Sequence, residues 1–174
     1  MRIAGIALGG LIPNLTRVAE FLNKREGAGL IPAGLLGTAT QHPEAAFMYH
    51  DIYGYFVGRY KDLHTRVMQR MYNVDGYMGY HGVPGMPVFI YNAIDDELSD
   101  ITAVDELVER FCGVGATILY HRNTAGTYSQ ALVNGWYRAF AWLSSVLDGN
   151  YDQVYSNMGC TILNVTYDLA PYIG

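Results

Sequence analysis

Apolar positions along the chain fall into two periods, and together they predict alternating strands and helices. Residues 2–8 are apolar almost without a break, which predicts a buried strand. Leu15, Val18, Ala19 and Leu22 then fall at i, i+3, i+4 and i+7, a helical stripe opened by Pro13 and Asn14 and closed by Gly27 and Gly29. Residues 30–40 read as a glycine-rich helix, and helical stretches follow near 43–57 and 60–72. Gly76 to Gly85 is a glycine-punctuated loop. Residues 87–92 form a strand entered from Pro87, a permitted first position. Ser99 or Thr102 then caps a helix with Val104, Leu107, Val108 and Phe111 on one face. Gly113 and Gly115 stop it, and Ala116–Tyr120 is the next strand. Residues 129–147 make a long helix that is apolar on more than one face, predicting cover on both sides. The tail to Gly174 has no strong period, and no internal repeat or linker is visible.

A strand, a helix and a strand joined by short returns imply parallel strands and a right-handed crossover. The fold class is therefore α/β, a mostly parallel sheet flanked by helices, with 1–174 as one partial domain and about 43–85 as a helical cap-like insertion. The first strand is apolar enough to lie inside a sheet, which suggests further strands upstream of it. Open sheets of this kind place ligands and catalytic groups beyond the carboxyl ends of their strands. Asp95, Asp96 and Glu97 stand at such an end. A carboxylate there can orient an imidazole, or it can simply cap the following helix and favour its dipole.

Among the five histidines, His121 ends the last predicted strand and is a candidate base. The alternative is a packed or surface histidine. His81 lies in the glycine-rich loop, where it could reach a pocket mouth or stay solvated. The sequence holds no Gly-x-Ser-x-Gly, and Ser99, Ser129, Ser144, Ser145 and Ser156 all lie on helices, helix starts or the tail. Gly9-Gly10 lacks the pattern of a phosphate-binding loop. No cofactor is expected.

Composition narrows the partners. The chain is 51% hydrophobic and 16% charged with a net charge of −5, which argues against disorder and against nucleic acid. Fifteen tyrosines suit half-wet surfaces or pockets, although half-buried packing is the simpler use. No apolar run reaches the 18 or so residues of a membrane span, and the apolar N-terminus reads as a strand, not a signal peptide. Cys112 and Cys160 either pair in an oxidising compartment or remain two buried thiols; they cannot build a zinc site alone. Asn14-Leu-Thr16 and Asn164-Val-Thr166 are sequons and tilt toward secretion and glycosylation at Asn14 and Asn164.

Several of these segments together resemble the fungal secretory lipases, the α/β-hydrolase family of the Candida antarctica lipase A type. They are Ala7-Leu-Gly-Gly-Leu-Ile-Pro-Asn-Leu15, the Ala28–Pro43 stretch into Thr40-Gln-His-Pro-Glu44, Ile94-Asp-Asp-Glu97, Phe111-Cys-Gly113, Arg122-Asn-Thr124, Trp142-Leu143 to Asp148-Gly149, and Met158-Gly-Cys-Thr161. The likeness covers nearly the whole chain and corresponds to the later part of that fold. It implies that Asp96 is the triad carboxylate, that Cys112 and Cys160 are bonded, and that the protein is secreted and acts in a lineage of lipid and carboxylic ester hydrolysis.

The departures bear on function. Counting back from Asp148-Gly149, the family's histidine falls on Tyr128. A phenol, with an ordinary pKa of about 10, cannot shuttle a proton at neutral pH as imidazole does. The family's serine and oxyanion hole correspond to positions before Met1, and the span from Tyr49 to Gly85 is short for the family's lid and cap. Three readings follow. The chain is a lipase-type polypeptide inactive by itself, its nucleophile on a second chain or its fold completed in a homo-oligomer. Or it is a repurposed binding or scaffold protein that takes an apolar or ester-type small molecule. Or it is a non-hydrolytic enzyme that uses Asp96, Tyr128 and His121 as acid/base groups, as in isomerisation or cyclisation.

Overall fold

The computed structural model of the chain describes residues 3–23, 25–42, 66–79 and 81–167. They form two compact units, one of residues 1–12 with 81–174 and one of residues 13–80.

The first unit is built on a four-stranded sheet in which β1 (Ile6–Gly9), β2 (Val88–Ala93), β3 (Ile118–Asn123) and β4 (Cys160–Val165) lie side by side in that order, all parallel. Ile6 stands opposite Val88, Val88 opposite Ile118 and Ile118 opposite Cys160. This register brings the carboxyl ends of all four strands to one edge of the sheet. All six residues of β2 are buried, as a strand with neighbours on both sides should be.

Alternation along β2 and β3 divides the core between the two faces of the sheet. Phe89, Tyr91 and Leu119 face α5 (Tyr128–Leu147) and pack with its Trp142 and with Tyr167. The opposite face meets α4 (Ile101–Gly113), where the Tyr120 hydroxyl donates to Asp105 at 3.0 Å. The stripe foreseen on α4 is the buried one: Val104, Leu107 and Val108 are inaccessible to solvent and Phe111 nearly so. Each such side chain contributes about 1.5–3 kcal/mol on burial. Cys112 in the last turn of α4 is bonded to Cys160 at the start of β4, with Cα atoms 5.8 Å apart. A short helix, α6 (Tyr151–Val154), precedes β4.

Three local expectations need correction. The cap of α4 is Asp100, whose carboxylate accepts the Thr102 N–H at 3.1 Å, and not Ser99 or Thr102. Ser99 is already committed: its N–H goes to Asp96 and its hydroxyl donates to the Leu11 carbonyl. The first strand is shorter than predicted, half-buried, and an outer strand of the described sheet, with β2 alone beside it. The long helix is not covered on both sides among the described residues. Ala131, Gly135, Trp142 and Ser145 are its buried positions, whereas Trp136 is 47% and Phe140 64% exposed.

The second unit contains α1 (Leu15–Leu22), a 3-10 turn at Glu26–Gly29, α2 (Leu30–Gln41) and α3 (Arg66–Val74). Asn14 caps α1 by accepting the Arg17 N–H at 3.0 Å, and Ala19 and Leu22 form its buried side. The helix ends at Leu22, ahead of the two glycines, which belong to the 3-10 turn. An isolated antiparallel bridge joins Asn14 to Tyr77. The helical stretch expected at 43–57, the start of that at 60–72 and most of the cap-like span lie outside the described residues.

Candidate active site

The acid turn begins where β2 ends. Ile94 donates its N–H to the Asn123 carbonyl at 2.8 Å, and the chain then folds over at Asp95-Asp96. Asp96 is only 5% exposed. Its Oδ1 accepts the N–H groups of Leu98 and Ser99, both at 2.8 Å, and these bonds make the turn that leads into α4. Its Oδ2 is buried and has no hydrogen-bond partner among the described residues. Burial raises the Asp96 pKa, the two backbone N–H groups pull it back, and the neighbouring Glu97 charge raises it further. A carboxyl with one oxygen saturated and the other open has the form needed to orient a partner donor. Asp95 and Glu97 beside it are exposed.

The loop between β3 and α5 is the second limb. Asn123, fully buried, accepts the Tyr167 N–H at 2.9 Å and donates its amide to the Ala125 carbonyl. Thr124 donates its N–H to the Val165 carbonyl at 2.8 Å. Gly126 takes φ +84°, a conformation open to glycine, and the Thr127 N–H then meets Gln130 Oε1 at 3.0 Å as the helix begins. Tyr128 is the first residue of α5, and its N–H donates to Glu97 Oε2 at 2.8 Å. The acid turn and the residue-128 loop are therefore joined through Glu97.

The side chain of Tyr128 is engaged elsewhere. No hydrogen bond links its hydroxyl to Asp96. Its ring instead lies over Gly10, a residue at φ +60° whose missing Cβ leaves the space. Tyr91 is seated in the same way over Gly9 and against Gly135, and burial together with the nearby Tyr128 raises its pKa. Two phenols thus stand together at the carboxyl ends of β1 and β2.

His121 is packed among aromatic rings. Its Nδ1 is 3.0 Å from the Tyr167 hydroxyl and its ring stands edge-on to Phe89. Burial, and secondarily the Arg138 charge, lower its pKa to about 4. No hydrogen bond joins it to Asp96. It lines a cavity of about 250 Å³ with Leu119, Leu163, Tyr151 and Tyr155. His81 is exposed in its loop, and His42 lies 3.5 Å from Asp75 in the second unit. His50 and His64 fall outside the described residues. Ser145 donates to the Trp142 carbonyl within α5 and Ser156 to the Met158 carbonyl. The Asn14 side-chain oxygen is committed to the cap of α1, and Asn164 is exposed on β4, where it accepts from Arg122 at 3.2 Å. No cluster of three His, Cys, Asp or Glu suited to a metal occurs among the described residues, nor does a helix long and apolar enough to cross a membrane.

Sequence reasoning gave Asn123 and Tyr91 no part in the site and passed over the link from Glu97 to residue 128. Only the Gly9-Gly10 doublet signalled the close approach of the tyrosines.

A parallel sheet with an acid turn after one strand and a loop-to-helix limb after the next is the later part of an α/β-hydrolase fold. The backbone agrees with Candida antarctica lipase A in its closed state, with a TM-score of 0.78 at 20% identity over 94% of this chain and 46% of that one. The sequence model described as secretory lipase matches residues 56–153, and the chain belongs to that family. It is 34% identical to the trichothecene C-3 esterase of Fusarium sporotrichioides, over 94% of this chain and 44% of that protein. It is 30% identical to "Probable trichothecene esterase SAT6" of Stachybotrys chartarum, over 97% of this chain and 40% of that protein. Lipase A of Arthroderma benhamiae is 28% identical over 86% and 38% respectively. The chain thus spans less than half the length of these curated relatives.

Proposed function

We propose that this chain is the acid-bearing part of a secreted carboxylic ester hydrolase of the lipase type, forming one partial hydrolase domain with residues 43–85 as its cap. Esters of lipids or of other apolar alcohols are the substrate class, in line with the esterase and lipase names of its relatives. The observation that carries the reading is Asp96: a buried carboxyl at the end of β2 with one oxygen pinned by two backbone N–H groups and the other without a hydrogen-bond partner among the described residues. Asp96 is the orienting acid, and Tyr128 occupies the place of the base.

Within these 174 residues hydrolysis is incomplete. A serine needs a strand-to-helix elbow and an imidazole to become nucleophilic, and the sequence offers no elbow. The Tyr128 phenol, packed on Gly10, cannot take its proton. Turnover by this fold therefore requires a nucleophile from outside these residues and a base other than Tyr128. Exposure of the purified protein to a fluorophosphonate probe, followed by intact mass, tests this. The mass should stay unchanged; a stoichiometric adduct on any serine would refute it.

A repurposed binding role is the second reading. The tyrosines filling the Gly9-Gly10 corner favour it, since they put bulk and two hydroxyls where the reacting groups of a hydrolase would gather.

A further inference from the structure

Residue 128 differs from the family's expected histidine, yet its main chain is still tied to the acid turn. The Tyr128 N–H is one of the first-turn donors of α5 that no carbonyl of the helix can satisfy. It meets Glu97 Oε2 at 2.8 Å, across 31 residues of sequence. The contact is exposed, so water could serve the N–H equally well and burial does not demand a protein partner. What the carboxylate adds is direction. It places a negative charge at the positive end of a 20-residue helix. Glu97 is also bonded directly to Asp96, so fixing one end of this link fixes the other. On the far side, Asn123 and Thr124 tie the same loop to Tyr167 and Val165. The loop is held on two sides while the oxygen it would serve, Asp96 Oδ2, has no hydrogen-bond partner among the described residues.

We propose that Glu97 is a positioning residue: by accepting the main-chain N–H of residue 128 it sets the base-bearing loop against Asp96, whatever side chain residue 128 carries. This rests on the reading of Asp96 and residue 128 as the acid and base limbs. Glu97 on the acid turn and Tyr91 on β2 are titratable groups that meet this position, and Asp95 and Asp96 precede Glu97 on the same turn.

Tyr128→His tests it, with the introduced imidazole followed by NMR pH titration. Three further proteins carry the same change with Asp96→Asn, Glu97→Gln or Glu97→Ala. Pairing with a carboxylate raises an imidazole pKa by about 1–3 units, so Tyr128→His should titrate at least about one unit above its Asp96→Asn counterpart. Both Glu97 changes remove one charge and lower the pKa alike on that account, but Glu97→Gln keeps an accepting oxygen and should titrate above Glu97→Ala, which also loses the pairing with Asp96. If Asp96→Asn changes nothing, the acid–base reading fails, and the positioning role with it. If Asp96→Asn lowers the pKa but Glu97→Ala titrates with Glu97→Gln, the positioning role alone is wrong. Hydrogen exchange in the otherwise unaltered protein gives an independent check. The Tyr128 amide should exchange about tenfold faster in Glu97→Ala than in the wild type or in Glu97→Gln. Equal rates in all three would overturn the proposal.

Discussion

Removing the Cys112–Cys160 bond should be among the most damaging changes that leave every buried side chain in place. The two cysteines are 48 residues apart, and the bond closes a loop containing all of β3 and α5. In the chain-entropy estimate a loop of this length restricts the unfolded ensemble by about 14 cal/mol/K, which is about 4 kcal/mol at 25 °C. Local structure points the same way, because β4 is the outer strand on its side, with exposed Ile162, Leu163 and Asn164, and pairs with β3 alone among the described strands. The double variant Cys112→Ser/Cys160→Ser avoids leaving one thiol free. Urea unfolding followed by tryptophan fluorescence should report the loss, because Trp142 is fully buried against Phe89. A decrease of about 4 kcal/mol corresponds to a melting temperature lower by about 8–16 °C for a domain of this size. A decrease below about 1 kcal/mol would show that β4 is held by its ladder, refuting the role assigned to the crosslink.

Asp96→Asn should be more stable than the wild type at neutral pH. The folded pKa of Asp96 is raised by burial, so the wild type gains stability as the carboxyl takes up its proton. The advantage of the variant should therefore vanish in acid, below the ordinary aspartate value of about 3.9, as paired denaturation curves across pH will show. His121 has the opposite sign. Its pKa is lowered to about 4, so between its ordinary value of about 6.5 and 4 the unfolded chain binds the extra proton. The wild type should lose stability relative to His121→Gln across that window, and parallel pH profiles would contradict the packing role. Gly135→Ala would drive a methyl group into the rings of Tyr91 and Tyr167 and should reduce stability by about 1–3 kcal/mol, measured by thermal melting.

The strong periods were legible in the sequence, and the irregular links were not. The α4 stripe of Val104, Leu107, Val108 and Phe111 is buried as its spacing implies. The Asp-Asp-Glu run after an apolar strand marked the acid turn. On α5 the apolar residues spread round the helix, and periodicity alone could not say which would be covered; Trp142 is buried and Phe140 is not. The cap of α4 slipped by one residue because Ser99 is claimed by Asp96, a choice set by the turn and not by propensity. The contacts that shape the site, Glu97 to Tyr128 and Asn123 to Tyr167, join residues 31 and 44 apart. No local pattern encodes them. Tyr128 is reached only by counting along the resemblance, since a tyrosine at a helix start carries no signal of its own.

The most direct test of the account is the hydrolysis of p-nitrophenyl acetate and butyrate by the purified chain, with Asp96→Asn and Tyr128→Phe measured beside it. The proposed reading, with no serine elbow and Tyr128 at the base position, predicts no turnover above the protein-free rate and no difference among the three proteins. Turnover by the wild type that either substitution reduces by about tenfold, or 1.4 kcal/mol of barrier, would contradict it. That result would make Asp96 and Tyr128 a working acid–base pair in their own right.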